Sequence, residues 1–146
     1  MTRWVLAFAS MLLLILPLAT TGCNQSSTIE GVVDHKVLSG IKDSTQCEIV
    51  FNSADDDGMP VNFVTDDDFQ ACFPLHGELV VTEDLERQMR AVYSDFVYQV
   101  SIARSPDDGF GYLTTREIFN KMSLGATVKV RVSDSSGIPR IVKIID

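Results

Sequence analysis

The C-terminal stretch of the chain alternates apolar and polar residues with a period of two. Thr127-Val128-Lys129-Val130-Arg131-Val132-Ser133 puts valines on one side and polar groups on the other, as in a strand with one buried face. Asp134-Ser135-Ser136-Gly137 is turn material, and residues 138–145 read as the returning strand of a hairpin. Pro139 has no N–H to give a ladder, so its end of that strand is expected at a sheet edge or bulge. Phe96, Tyr98, Val100 and Ile102 form a second clean alternation. Weaker strand patterns cover residues 31–38, 48–52, 61–65 and 78–82. Ser39-Gly40, the run from Asp55 to Pro60, Pro74 and Gly77 separate them. Residues 67–75 are ambiguous, since Phe69, Ala71 and Phe73 alternate over too short a stretch.

Two short helices interrupt the strands. The first is predicted over 83–92, with Thr82 as N-cap and Leu85, Met89 and Val92 on one face. The second is predicted over 115–122, where Thr114 and Glu117 have capping-box spacing and Gly125 follows the end. Many strands and two brief helices predict a mainly β domain, a small β-barrel of the OB or SH3-like kind. An antiparallel sheet carrying both helices is the alternative.

The N-terminal residues follow a different rule. Arg3 is followed by an apolar run over 4–19 broken only by Ser10 and Pro17, and then by the small residues Thr20, Thr21 and Gly22. About 16 apolar residues fall short of the roughly 20 that cross a bilayer. With Gly22-Cys23 at its end, this segment resembles bacterial lipoprotein precursors, in which a small residue precedes an obligatory Cys. Thr20 departs from the usual Leu three places before that Cys. The resemblance implies that residues 1–22 are a cleaved signal peptide and that the Cys23 thiol carries diacylglycerol, with a further acyl chain such as palmitate on the new amino terminus. By analogy with enterobacterial sorting, Asn24 after the Cys implies an outer-membrane destination facing the periplasm. The resemblance ends near residue 24; residues 23–29 then read as a flexible polar tether, and residues 30–146 as a single β-rich domain.

Charge divides the domain. Between Asp43 and Glu86 there are 12 acidic residues and no Lys or Arg, whereas from Arg87 onward 9 basic residues face 6 acidic ones. Duplex affinity depends on Lys and Arg neutralising phosphates, so no nucleic-acid partner is expected. The acidic half reads as a solvated face, with docking to a cationic envelope partner as the alternative. Cys47 and Cys72 are the thiols left after Cys23, and in an exported protein they are expected to form a disulfide.

Candidate chemistry is sparse. Asp55-Asp56-Asp57-Gly58 matches part of a calcium loop, but Ser53 and Val64 stand where its end ligands belong. His35 and His76 have no nucleophile signature beside them. Phe110-Gly111-Tyr112 reads as a loop that either plugs a barrel mouth or forms an exposed contact patch. The expected role is therefore a non-enzymatic binding or accessory module, lipid-anchored in the cell envelope, with no cofactor, no metal ligands and no catalytic residues. The alternatives are a small periplasmic hydrolase using carboxylates and histidines, and a weak calcium-binding module.

Overall fold

The fold is organised by its first strand, β1 (Gln25–Lys42), which is 18 residues long and pairs with three others. The computed structural model describes residues 25–135 and 137–145. The proposed leader and Cys23 lie outside these residues. After β1 come β2 (Thr45–Ala54), β3 (Pro60–Val64), a 3-10 helix (Asp67–Cys72) and α1 (Glu83–Met89). Then follow β4 (Asp95–Ala103), β5 (Gly109–Thr114), α2 (Arg116–Lys121), β6 (Thr127–Ser135) and β7 (Ile138–Ile145). The seven-stranded sheet runs β3-β2-β1-β4-β5-β7-β6, and β6 returns to pair with the first half of β1.

That last pairing closes a ring of five strands, β1-β4-β5-β7-β6, so the protein is a mainly β barrel. The contact between β5 and β7 is parallel and every other pairing in the ring is antiparallel. With α2 between the third and fourth ring strands, this is the connectivity of the Greek-key OB barrel rather than an SH3-like one. Residues 43–94 are an excursion between the first two barrel strands. β2 and β3 of this excursion extend the sheet beyond the ring.

Local sequence explains the joints. Lys42 pairs with Thr45 across a two-residue turn in which Asp43 and Ser44 have φ of 49° and 63°, the left-handed pair that suits the twist of a hairpin. Thr82 caps α1 by accepting from the Leu85 amide. At α2 the cap is Thr115, accepting from the Ile118 amide, and not Thr114. Thr114 is instead buried in β5 and donates to the Ile141 carbonyl at 3.3 Å. Residues 25–29, expected as tether, are strand: Gln25 to Ile29 pair with Asp134 to Val130 of β6. The hydroxyl side chains of Ser26, Ser27 and Thr28 are exposed, so the polarity of this piece of strand imitates a linker.

The core is formed by Val33, Leu38, Val100, Ile102, Val130 and Ile141 from the barrel, with Phe119 of α2 against Tyr98. Leu79, Val81, Met89 and Tyr93 extend it under the excursion. Residues 74–81 cover the inner face of β1, β2 and β3. The expected strand at 78–82 keeps its alternation, with Leu79 and Val81 buried and Val80 exposed, yet it joins no ladder. Side chains satisfy its carbonyls instead. Asn62 donates to Pro74 O at 2.8 Å, Asn52 to Gly77 O at 3.2 Å, Lys36 to Leu79 O at 2.7 Å and Asn120 to Val81 O at 2.8 Å. Buried carbonyls need donors, and here four different elements supply them. The same strap protects the outer edge of β3 through Asn62 N to Leu75 O and Gly77 N to Pro60 O.

Candidate functional site

Two surfaces leave aromatic side chains uncovered. The first is the barrel mouth. The turn from β4 to β5 is closed by Arg104 N to Asp108 O at 3.1 Å, and the Arg104 guanidinium pairs with the Asp108 carboxylate at 3.2 Å. β5 then sends Phe110 and Tyr112 to the same side, their ring centroids 5.1 Å apart. Tyr112 is buried, and that burial raises its hydroxyl pKa, whereas Phe110 is 51% exposed. Together with Ser27, Ile29, Arg104, Asp134 and Pro139 they line an open cleft of about 420 Å³. Phe110-Gly111-Tyr112 is thus strand and not loop. Tyr112 is buried at the mouth and Phe110 stands exposed at its rim.

The second surface is the outer face of the extension. Phe51 and Phe63 are cross-strand partners with ring centroids 6.3 Å apart. His35 lies 5.1 Å from Phe51, and its Nδ1 contacts the Asp34 carboxylate at 2.9 Å. Phe63 is 52% exposed. Three residue pairs further along, the hairpin ends at Asp55-Asp56-Asp57, so the aromatic pair and the acidic turn belong to one hairpin. The outer face of β4 and β5, where OB barrels commonly take ligands, presents Gln99 laid across Gly111. A Cβ at Gly111 would come within 2.2 Å of the Gln99 Nε2.

The residues singled out from sequence are dispersed. Asp55 turns its carboxylate inward to accept from the amides of Asp57 and Met59 at 3.0 and 2.8 Å. In the next acidic run, Asp66-Asp67-Asp68, Asp66 caps the 3-10 helix and accepts from the Tyr93 hydroxyl. These are turn and cap roles. Among the described residues no group of three or more His, Cys, Asp or Glu is placed to hold a metal ion. His35 lies in β1 and His76 in the strap, bridged to Val61, so the two are carried by different elements. The expected disulfide is corrected: Cys47 and Cys72 are free thiols. Cys47 is half-buried in β2 with its Sγ toward the Thr45 carbonyl, while Cys72 is exposed at the end of the 3-10 helix.

Sequence reasoning missed Lys36 and the pairing of Phe51 with Phe63. The second was findable, because both are six residues from Asp57, the centre of the hairpin turn, and so meet across it. Lys36 is wholly buried, with its Nζ donating to Leu79 O and Met122 O and lying 4.4 Å from the centroid of Phe119. Burial pulls its pKa down to about 8 against the opposing charge of Glu78. No helix among the described residues is long and apolar enough to cross a membrane. No protein-family model, curated protein or solved structure matches the chain.

Proposed function

We propose that the chain is a lipid-anchored protein of the cell envelope, acylated at Cys23, held at the outer membrane on its periplasmic side, and acting as a non-enzymatic binding module. Its contact surface is the Phe51–Phe63 strip, and its partner is an envelope protein presenting basic and apolar side chains. The observation that carries the reading is the uncovered Phe63 ring beside Phe51, on a hairpin that ends in three consecutive aspartates. An exposed aromatic pair supplies apolar area at little entropic cost, and the flanking carboxylates favour a cationic partner. Ionisable side chains elsewhere support the same reading by their occupation. Asp66, Glu86, Arg116 and Lys36 are each engaged in holding the fold.

Two measurements test it. Cys23→Ser is expected to leave the protein in the soluble periplasmic fraction without fatty-acid label, and persistence in washed membranes would count against the anchor. A photo-crosslinker at position 63 in the native envelope is expected to capture a specific protein, with the yield falling as salt rises. Equal yield from a crosslinker at Val142, on β7, would remove the case for the strip.

A further inference from the structure

The start of the first strand fixes how the barrel can stand on a membrane. β1 begins at Gln25, so Asn24 is the only residue between Cys23 and the strand. Two Cα–Cα steps span at most about 7 Å. Gln25 pairs with Asp134 and Ser27 with Val132. Ser27, Val132 and Asp134 also line the mouth cleft with Phe110, so the chain enters the barrel beside that cleft. The same end carries uncovered apolar side chains. Phe110 is 51% exposed, and Ile138, which opens β7 next to Pro139, is 54% exposed. A mainly apolar cleft lined by Val32, Ala103 and Pro106 adjoins the mouth through Arg104.

We infer that this end of the barrel lies against the bilayer, with Phe110 and Ile138 seated at the boundary between headgroups and acyl chains. The inference rests on the acylation of Cys23 proposed above. The polar region outside the hydrocarbon is only about 5–8 Å deep in each leaflet. With its glycerol at that level, a tether of about 7 Å cannot hold the barrel clear of the interface. Apolar side chains at such a surface sink roughly 5–10 Å into the headgroup–acyl boundary. Arg104, paired with Asp108, keeps its charge at headgroup level while its stem lies along apolar surface. The bilayer then covers the mouth, and the Phe51–Phe63 strip, on other strands, is left for a protein partner.

Trp4 is the sole tryptophan and lies in the leader, so a tryptophan introduced into the domain reports alone after processing. Phe110→Trp, Ile138→Trp and Phe63→Trp would each be purified as the native processed protein and weighed intact. Each would then be placed in phosphatidylethanolamine–phosphatidylglycerol vesicles, with or without phosphatidylcholine brominated on its acyl chains. Emission from Phe110→Trp and Ile138→Trp is expected to fall about twofold or more with brominated lipid, while that of Phe63→Trp stays unchanged. Acylated protein whose Phe110→Trp and Ile138→Trp emission is water-like and unquenched would overturn the inference and leave the anchor standing. Blue-shifted but unquenched emission would overturn it too, by assigning the mouth to the anchor's own acyl chain, and equal quenching of all three would mean that the barrel lies on its side. A processed chain without acyl mass would overturn both the inference and the anchor.

Discussion

The Lys36 Nζ lies 2.7 Å from the carbonyl oxygen of Leu79, and this contact ties the excursion to the barrel. Lys36 reaches from the middle of β1 under the strap, and a second bond at 2.9 Å to Met122 O takes in the end of α2. No carboxylate among the described residues hydrogen-bonds the ammonium; carbonyl dipoles and the face of Phe119 hold it. A lysine in that setting is costly to keep charged, which is why its pKa lies near 8.

The pH dependence of stability follows from that shift. Between pH 8 and 10 the unfolded chain keeps Lys36 protonated while the folded chain releases the proton. The unfolded state therefore binds more protons, and stability rises with pH. The gain is expected to be roughly 2–3 kcal/mol across this window. The strap survives deprotonation, because a neutral amine still has two N–H groups for its two carbonyls. Above pH 10 the sign reverses. Burial and the carboxylates of Asp66 and Glu86 raise the Tyr93 and Tyr98 hydroxyls, so the unfolded state loses those protons first. Urea titrations at half-unit steps would display the rise, and Lys36→Met is expected to flatten it. An equal rise in Lys36→Met would assign the effect to another group.

What sequence could and could not reveal turns on β1. The valine alternation of β6, the alternation in β4 and both helices were legible because each keeps one period, whereas β7, whose register against β6 shifts at Val142, was placed by the turn that precedes it. β1 does not. Its register shifts between Val33 and His35, so Val33 faces the core before the bulge, and Lys36 and Leu38 face it afterwards. A bulge changes which parity points inward, and the alternation Val33-His35-Val37 is misleading for that reason. β5 was hidden by Gly109 and Gly111, which stand on its outer face where alternation would need polar side chains. The strap over 74–81 carries a strand's pattern at 78–82 without strand partners, and its side-chain donors come from residues 12 to 43 positions away in sequence. The mouth cleft combines four separate strands, and no local pattern encodes such a meeting.

Gly40 is expected to tolerate no side chain. A Cβ there would lie 2.3 Å from the Tyr93 ring, which packs flat on β1 and is fixed by its bond to Asp66. Gly40→Ala must displace that ring and with it the junction between α1 and β4. A loss of about 3 kcal/mol or more is expected in chemical denaturation. Gly125→Ala is the control, since its φ of 74° is strained for alanine although nothing lies within 4 Å. Its cost should stay near 1 kcal/mol. Equal costs would mean that Tyr93 moves aside freely.

The two free thiols should differ in reactivity. Cys72 is exposed at the end of the 3-10 helix, and Cys47 is half-buried in β2. Non-reducing alkylation of the folded domain is expected to tag Cys72 first, with Cys47 following on unfolding. Mass spectrometry would count the tags. A domain that accepts none until a reductant is added would show that the two sulfurs had joined after all.

Glu86 is expected to be the most sensitive carboxylate of α1. One oxygen accepts from Arg90 at 2.6 Å, and the other accepts from the Tyr98 hydroxyl at 2.7 Å and from Arg116 at 3.1 Å. The bonds therefore tie α1 to β4 and to α2. Burial alone would raise this carboxyl's pKa, but hydrogen bonds from Tyr98 and Arg90 and the Arg116 charge outweigh it and leave the group below its ordinary value. A lowered carboxyl contributes stability above the unfolded pKa, and that stability is lost as pH falls through the folded one. Glu86→Gln keeps the shape but puts an amide donor where an acceptor is needed, leaving a half-buried donor unsatisfied. A cost of about 2–3 kcal/mol at pH 7 is expected, shrinking as both proteins are taken to acid. Glu83→Gln, at an exposed residue that meets Arg116 only at 2.9 Å, should cost less than about 0.5 kcal/mol. Thermal melts of the two variants at pH 7 and pH 4 would separate the roles, and equal effects would mean that the bonds to Tyr98 and Arg90 add nothing to the docking of α1.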